Sequence, residues 1–400
     1  MQDKFEEMIS VEEALKIISK QSVDLGSEEV SFSEATGRVL DEDIKADRDF
    51  PPFHRATMDG ICISLKDWET GMRTFPVFGE QFAGAPQQKL KLGSCMEVMT
   101  GAVVPENANV VIRYEDLTIE NAVATVNVDG VSEMLNIHLQ GTDAEKGKVL
   151  IKKGKRISHG DVGILTSVGK TTVKVKKLPQ VAIISTGDEL VEPDQKPEPH
   201  QIRKSNIYTL FSLLKSQRIS FEVFHIDDEL EEIKLELDKL LTKFDVLMLS
   251  GGVSMGKKDF IPEALESRGI KTHFHKIKQR PGKPLWFGSN DQVTVFGFPG
   301  NPVSTIACYT VYFQTWLHQS LGLEQSISQA ELTEDIHFPK ELTFFVHVSI
   351  TNEKGILKAT PLRGNGSGDL VSLSTADGFM ELPADQSHFK KGEVLKVHLF

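Results

Sequence analysis

The feature that most constrains the fold of this chain is a regular alternation of strand-like and helix-like segments between residues 179 and 325. Uninterrupted apolar runs such as VAIIS and VLMLS suit strands that are buried on both faces. Between such runs, apolar residues recur at helical spacing, as in Ile207, Leu210 and Leu214. Strands that alternate with helices predict parallel pairing through right-handed crossovers, and therefore a doubly wound, three-layer α/β/α domain.

The rest of the chain has a different pattern. Near the N-terminus an amphipathic helix is predicted, and Ser10 and Glu13 form a capping box that marks its start. Short β-like runs between Gly, Pro and Asn fill the stretch from Asp47 to Asp143, and similar runs follow Gln325. We therefore predict a multidomain α/β plus β chain of four domains: a linker α+β domain (1–46 plus 144–178), a mostly β insertion domain (47–143), the central α/β domain (179–325) and a small C-terminal β-barrel domain (326–400).

Composition excludes several classes of protein. A formal net charge of -12 disfavours a general binder of nucleic acid or of anionic membranes. The cysteines Cys62, Cys95 and Cys308 are far apart, which argues against a disulfide framework and a zinc site. The sequence shows no signal peptide, no apolar run of about 20 residues and no nucleophile elbow. We expect a cytoplasmic protein that binds neither nucleic acid nor membrane, and that is not an acyl-transfer hydrolase.

Three strand-like runs end in unusual loops. The loops are Ser185–Glu189, Gly251–Gly256 and Pro299–Pro302. Ligands of open parallel sheets bind beyond the carboxyl ends of the strands, where glycine permits close approach and helix N-termini favour anions. One such loop alone is more often a plain strand–helix connection. Three loops at one sheet edge favour a ligand site.

Charged residues add to this interpretation. Lys276, Lys278, Arg280 and Lys283 crowd one short segment of an acidic chain, in which Pro281-Gly282 and Pro284 impose a fixed turn. A run of charge is usually a solvated face, but a rigid turn that presents two cations favours oxyanion binding. Carboxylates stand at the predicted strand ends, where each alone is more often a cap or turn residue and where the set favours Mg²⁺ beside a phosphate: Asp188, Glu189, Asp227 and Asp259.

Six motifs in order carry a resemblance to a known family. They are DFPPFHRATMDGICI (Asp49–Ile63), MTGAVVPENANVVIRYED (Met99–Asp116), STGDEL (Ser185–Leu190), LSGGVSMGKKD (Leu249–Asp259), RPGKPL (Arg280–Leu285) and GFPGNPVS (Gly297–Ser304). Together they resemble the molybdopterin molybdenumtransferase family of MoeA type, which is related to the gephyrin E domain. The resemblance implies that the central domain is of the molybdopterin-binding type.

The resemblance also implies an activity: Mg²⁺-dependent insertion of molybdate into adenylated molybdopterin with release of AMP, by a homodimer whose insertion domain serves the partner subunit. It implies catalytic roles for five residues, of which the last three would also hold the metal: Asp59, Thr100, Glu189, Asp227 and Asp259. It implies substrate binding by a larger set: Ser250, Gly251, Gly252, Ser254, Lys276, Arg280, Lys283, Pro299, Gly300, Asn301, Pro302, Ser304 and Ser367. Without the resemblance, Met58-Asp59-Gly60 is as easily a simple turn.

Two departures from the family pattern stand out. Arg280 occupies a position that is often Lys, and ELTFFVHV (Glu341–Val348) lacks an Arg pair that many members carry. Arg363 and Ser367 are candidates to compensate. A gephyrin-like binding scaffold and a paralogue that handles tungstate therefore stay open as alternatives. A transient contact with the adenylylating enzyme of the pathway is a further expectation.

Overall fold

The computed structural model describes residues 8–227, 229–252, 261–324 and 327–400. The chain divides into two compact units: one is Ser27–Val175, and the second combines Met1–Gly26 with Lys176–Phe400. Across the described ranges, no helix combines the length and the apolar composition needed to cross a membrane. The finer division into four domains stays a prediction.

The N-terminal helix begins as the sequence predicts. In α1 (Val11–Lys20), the Glu13 N–H donates to Ser10 Oγ at 3.1 Å and the Ser10 N–H donates to Glu13 Oε2 at 2.8 Å. This capping box satisfies N–H groups at the helix start that have no partner within the helix. The next strands, β1 (Ser27–Ser31) and β2 (Ile44–Lys45), pair with later parts of their own unit.

The predicted insertion is mostly β. Its elements are β3 (Arg55–Ala56), β4 (Gly60–Ile63), α2 (Leu65–Glu69), β5 (Thr74–Gln81), β6 (Cys95–Val98), β7 (Val110–Arg113), β8 (Leu117–Glu120), β9 (Val123–Val126) and β10 (Ile137–His138). Six of the strands form a sheet in the order β7-β4-β6-β5-β9-β8, and β3 pairs with β10. The apolar residues Ile61, Phe75 and Ile112 pack in its core and are at most 1% exposed.

The chain then completes the unit that β1 and β2 began. Strand β11 (Val149–Ile151) pairs with β2, and β12 (Thr172–Lys176) pairs with β1. Between them lies α3 (His159–Ser167), which begins at a capping box of Ser158 and Asp161. Leu165 of α3 is fully buried in a small core with strand residues of the same unit.

The α/β alternation folds into a six-stranded sheet. Its elements are β13 (Gln180–Thr186), β14 (Leu190–Val191), β15 (Ile202–Arg203), α4 (Asn206–Ser216), β16 (Ser220–Ile226), α5 (Leu230–Lys243), β17 (Val246–Ser250), α6 (Ile261–Glu266), β18 (Lys271–Phe274), β19 (Gln279–Arg280), β20 (Trp286–Ser289), β21 (Thr294–Phe298), α7 (Pro302–Cys308) and α8 (Gln314–Ser320). The order is β16-β13-β17-β21-β20-β18, and the first four strands are parallel, as predicted. A π-helical stretch, Tyr309–Phe313, joins α7 to α8.

Two further strands of this sheet were not predicted from the sequence. Strands β18 and β20 run antiparallel to their neighbours at one edge of the sheet. Only residues 290–293 connect β20 to β21, and a parallel crossover needs a connection of about a dozen residues or more. The short loop therefore forces a hairpin at this edge.

The C-terminal part closes into a small barrel. Its strands are β22 (Ser328–Leu332), β23 (Ile336–His337), β24 (Thr343–Glu353), β25 (Ile356–Pro361), β26 (Gly378–Leu382), β27 (His388–Phe389) and β28 (Val394–Leu399). The order β24-β25-β22-β28-β26 closes because β26 also pairs with β24, which confirms the predicted barrel. Strand β19 pairs in parallel with β24, so the turn Arg280–Lys283, which we call the RPGK turn, is anchored on the barrel.

Candidate functional site

Three strand ends meet at one edge of the α/β sheet. Ser250 at the end of β17 pairs with Ser185 of β13 on one side and with Phe298 of β21 on the other. The carboxyl ends of these three strands therefore lie side by side, as the sequence predicts, and of the loop after β17 the described residues are Gly251 and Gly252.

A cavity of about 250 Å³ lies at this edge, and we call it the strand-end cavity. Five of its lining residues were predicted to act in the site, namely Glu189, Ser250, Gly251, Gly300 and Pro302. The other lining residues are Ser185, Thr186, Leu190, Ile202, Arg203, Lys204, Ser205, Asn206, Ile207, Gly368 and Leu370. The cavity therefore combines glycine backbone, hydroxyl groups, two cations and an apolar rim.

The two glycines after β17 are required by geometry. Gly251 and Gly252 have φ angles of +97° and +68°, which favour glycine. A Cβ on Gly252 would lie 2.6 Å from Ile261 Cδ1 and 2.8 Å from Thr186 Oγ1. The turn thus brings backbone against the end of β13, as the sequence suggested. The predicted site residues Ser254 and Asp259 lie outside the described residues.

Asn206, which the sequence analysis missed, ties two of the loops together. Its Nδ2 donates to Ser250 Oγ at 3.0 Å and to the Gly300 carbonyl at 2.7 Å. Because a carbonyl can only accept, this contact fixes which way the amide points. The only available signal was a Ser-Asn pair directly before the helical periodicity that starts at Ile207.

Lys204 was also missed, because it follows a polar, proline-rich stretch, EPDQKPEPHQ (Glu192–Gln201), that carries no signal of a ligand site. Its side chain is 7% exposed, and its Nζ lies 2.6 Å from Glu192 Oε1. Tyr208 donates to Glu192 Oε2 at 2.7 Å. The hydrogen bonds from Lys204 and Tyr208 lower the pKa of Glu192. Lys204, together with residues of β14 and β15, lines one side of the strand-end cavity.

Two of the three predicted metal-binding carboxylates follow neighbouring strands. Thr186 of β13 pairs with Ile226 of β16, so the loops that carry Glu189 and Asp227 begin next to each other. The Glu189 side chain lines the cavity. Asp227 Oδ1 lies 3.6 Å from His225 Nε2. No cluster of three or more potential metal-binding side chains occurs within the described ranges.

His225 also contacts a serine. Its Nδ1 lies 2.8 Å from Ser185 Oγ, so serine, histidine and aspartate lie in a row. Ser185 is 1% exposed, and its hydroxyl also lies within hydrogen-bonding distance of the Phe224 carbonyl at 3.3 Å. A buried hydroxyl engaged by a backbone carbonyl is poorly placed as a nucleophile. This arrangement of Ser185, His225 and Asp227 therefore gives no support for a hydrolase mechanism.

The RPGK turn is held from below by a buried amide. Gln279, 1% exposed, donates from Nε2 to the carbonyls of Pro281 at 2.9 Å and Gly282 at 3.1 Å, and it accepts from the Tyr312 hydroxyl. A Cβ on Gly282 would lie 2.5 Å from Cys308 Sγ. The rigid turn that the prolines predicted is thus fixed mainly by contacts with α7 and the π-helical stretch.

A second cavity of about 420 Å³ lies between this turn and the barrel, and we call it the barrel cavity. Arg280 lies with its Cζ 5.8 Å from the centroid of the Phe344 ring. The full lining is Arg280, Pro281, Val303, Ile336, Phe344, Phe345, Val346, His347, Pro361, Leu362, Arg363, Gly364, Gly366 and Ser367. Arg280, Arg363 and Ser367 thus share one cavity.

Two hydrogen bonds join the segments that line the two cavities. Asn301 Nδ2 donates to Ser367 Oγ at 2.9 Å, and the Val303 N–H donates to the Ser367 carbonyl at 3.1 Å. Of these segments, the strand-end cavity is lined by Gly300, Pro302, Gly368 and Leu370, and the barrel cavity by Val303, Gly366 and Ser367. The barrel segment with Ser367 is therefore held against the start of α7.

Four other predicted residues lie elsewhere. The Ile277 N–H donates to the Lys283 carbonyl at 2.9 Å and closes a loop, which Lys276 directly precedes. Neither Lys276 nor Lys283 lines either of the two cavities. Ser304 is 3% exposed within α7. The Pro299 carbonyl accepts from Thr305 Oγ1 at 2.7 Å and so supports the loop from inside.

Asp59 and Thr100 contact each other in the other compact unit. Asp59 Oδ1 accepts from the Thr100 N–H at 2.6 Å and from Thr100 Oγ1 at 2.7 Å. These hydrogen bonds lower the pKa of the exposed Asp59 carboxyl, and the one from the Thr100 backbone N–H has the larger effect. The adjacent side chain of Met58 is 42% exposed.

Comparisons with known proteins agree with this architecture. Three family descriptions match in order: "MoeA N-terminal region (domain I and II)" over residues 9–169, "Probable molybdopterin binding domain" over residues 182–319 and "MoeA C-terminal region (domain IV)" over residues 329–400. Proteins named molybdopterin molybdenumtransferase from Synechocystis sp. and Bacillus subtilis are 38% and 31% identical, over 96% and 98% of this chain and 98% and 94% of their own lengths.

Solved structures give the same result. Two structures of a molybdopterin biosynthesis MoeA protein from Pyrococcus horikoshii match with a TM-score of 0.83 and are 31% and 28% identical. Each comparison covers 98% of this chain and at least 99% of the Pyrococcus chain. The chain therefore belongs to the molybdopterin molybdenumtransferase family of MoeA type, whose role is in molybdenum cofactor biosynthesis.

Proposed function

We propose that this protein inserts molybdate into adenylated molybdopterin and releases AMP. The observation that carries the proposal is the contact of Asn301 with Ser367, which sets two cavities of different chemistry side by side. Two anionic reactants need two adjoining sites. The glycine-lined strand-end cavity suits a phosphate-bearing heterocycle, and the barrel cavity with its two arginines suits a small oxyanion.

The cations address the main physical difficulty of this reaction. Molybdate and the phosphorylated pterin repel each other unless positive charge lies between or beside them. Neither Arg280 nor Arg363 has a carboxylate partner among the described residues. Guanidinium groups that are not engaged in ion pairs are available to an oxyanion, and each charge-assisted hydrogen bond contributes roughly 1.5–3 kcal/mol.

Mg²⁺ binds through one or two carboxylates together with phosphate oxygens. Glu189 lines the strand-end cavity, and Asp227 follows the neighbouring strand β16. We assign them, with Asp259, as the ligands of Mg²⁺. Bound there, the ion would neutralise charge that develops on the AMP phosphate as the phosphoanhydride breaks. The N–H groups of the glycine loop would stabilise the same charge.

We further propose that Asp59 and Thr100 serve the partner subunit of a homodimer. Apolar side chains of the same insertion are exposed: Phe53, Met58 and Phe82 are 37%, 42% and 49% exposed, and Met58 precedes Asp59 in sequence. Exposed large apolar side chains favour a docking surface in this insertion. Asp59→Ala and Glu189→Ala, each inactive alone, should regain activity when mixed subunits form heterodimers. Failure to regain it in verified heterodimers would contradict a shared site.

The reaction itself is tested by single-turnover AMP release. Purified protein is mixed with adenylated molybdopterin and Mg²⁺, with and without molybdate, and released AMP is quantified. Molybdate-dependent release with formation of active cofactor supports the proposal. Tight pterin binding without release would indicate a binding scaffold, and a preference for tungstate would indicate the tungstate alternative. We expect the protein to act in the cytoplasm, with transient contact with the adenylylating enzyme.

A further inference from the structure

The barrel cavity contains one ionisable group that the proposed reaction has not used. His347 lies on β24 and lines the cavity with Arg280, Arg363 and Ser367. It is the only basic residue of Glu341–Val348, the stretch that lacks the family's Arg pair. Its position therefore puts a titratable base where permanent positive charge was expected.

The surroundings of His347 leave its ring without a protein partner. Its Nε2 is buried and makes no hydrogen bond within the described part of the chain. The ring packs on backbone, since a Cβ on Gly364 would lie 2.9 Å from Cε1 and 3.0 Å from Nε2. Nε2 is thus covered by Gly364, while the residue as a whole lines the cavity, so a ligand that enters the cavity is available to the other ring nitrogen.

Charged groups lie around this ring. Arg280 on the RPGK turn and Arg363 after β25 line the same cavity. Asp369, at the start of the turn Leu370–Thr375, favours protonation, while its own carboxylate accepts from the N–H groups of Asn365 and Ser372. The start of α7 adds no charged side chain. Burial lowers the pKa of His347 and outweighs the opposing effect of Asp369.

A dianion in the cavity would reverse this balance. Without it, burial of the ring disfavours an imidazolium. With a tetrahedral oxyanion between the arginines, the field at His347 becomes negative and the imidazolium gains an acceptor. Proton binding and anion binding would then reinforce each other by the same free energy, as linkage requires.

We propose that His347 is a further substrate-binding residue, which takes up a proton as a tetrahedral oxyanion enters the barrel cavity and donates a hydrogen bond to it. The inference rests on the proposed function, because it takes molybdate as the anion. It makes the affinity for molybdate depend on pH, in contrast to a site built from arginines alone. It also gives the cavity its third positive charge only when the substrate is present.

The test is isothermal calorimetry of sodium molybdate with the full-length protein in two buffers of different ionisation enthalpy. Near pH 7, binding to wild type should take up a measurable fraction of a proton per site, because a tenfold gain in anion affinity on protonation raises the proton affinity of the site by the same factor. His347→Gln should take up none and bind about tenfold more weakly near pH 6, with the difference vanishing at higher pH. His347→Arg should bind tightly with no pH dependence. His388→Gln, an exposed barrel histidine stacked on His337, is the matched control.

The outcomes separate the inference from the function beneath it. If Arg363→Ala weakens molybdate binding but wild type and His347→Gln take up equal numbers of protons, the role of His347 is refuted and the cavity stands. If molybdate binds and neither Arg363→Ala nor His347→Gln changes its affinity, the anion lies elsewhere. Both the role of His347 and the assignment of the barrel cavity to molybdate then fail. Circular dichroism and thermal unfolding of each variant establish that it is folded.

Discussion

Asn301 and Ser367, 66 residues apart in sequence, meet through a 2.9 Å hydrogen bond from Nδ2 to Oγ. Asn301 belongs to the loop after β21 and Ser367 to a barrel segment between β25 and β26. The contact is what makes the strand-end and barrel cavities neighbours. Any transfer between ligands in the two cavities depends on this distance, because catalysis is sensitive to ångström-scale misplacement.

The first prediction concerns this contact. Ser367→Ala should raise the molybdate concentration for half-maximal AMP release about tenfold, since one hydrogen bond of about 1–1.5 kcal/mol is lost. Single-turnover kinetics at varied molybdate measures the effect. Ser374→Ala, whose exposed hydroxyl donates only to the Val371 carbonyl at 2.8 Å, is the control and should behave as wild type. Equal behaviour of the two variants would remove Ser367 from the site.

The second prediction concerns the glycine turn after β17. Gly252→Ala should destabilise the protein by roughly 2–4 kcal/mol, because it combines positive φ with close approach to Ile261 and Thr186. Gly269→Ala is the matched control, since Gly269 has φ +80° and open space around its Cβ position. It reports the backbone penalty alone. Thermal unfolding of both variants should rank Gly252→Ala as clearly worse; the reverse ranking would refute the steric argument.

The third prediction concerns Gln279. Gln279→Leu should cost about 2–4 kcal/mol, because the carbonyls of Pro281 and Gly282 and the Tyr312 hydroxyl lose their partner in the interior. It should also weaken molybdate binding, because Arg280 is carried by the same turn. Calorimetric unfolding and molybdate titration measure the two effects.

Tyr312→Phe provides the comparison for Gln279. It leaves both carbonyl contacts intact and removes only the hydroxyl. We expect a smaller loss of stability and nearly normal molybdate binding. A Gln279→Leu variant that binds molybdate as tightly as Tyr312→Phe would show that the turn does not need this support.

The fourth prediction concerns pH and the barrel. Burial raises the pKa of Glu381, but the hydrogen bond from His398 at 2.9 Å and nearby positive charge outweigh it, so the net pKa lies below 4.5. A depressed carboxyl pKa stabilises the fold above the unfolded pKa and ceases to do so as pH falls through the folded pKa. Glu381→Gln should therefore unfold at lower temperature than wild type at neutral pH. A gap that stays constant well below pH 4.5 would contradict this.

Local features of the chain were predictable because neighbouring residues make them. The capping box of Ser10 and Glu13 spans three residues and formed as expected. The three glycine-bearing loops lie at one sheet edge because parallel strands place their carboxyl ends together. The antiparallel edge strands β18 and β20 were missed, because both are short and lie at the two ends of the charged, proline-rich segment HFHKIKQRPGKPLWFG.

By itself, the sequence determined the order of strands and helices, the positions of the glycine turns and the identity of most charged groups in the site, because each depends on a few neighbouring residues. The tertiary structure alone decided which groups meet. Asn206 contacts Ser250 and Gly300 across separations of 44 and 94 residues. Arg280, His347 and Arg363 share a cavity because β19 pairs with β24. Such contacts follow from closing long loops and packing a common core, which short-range patterns do not encode.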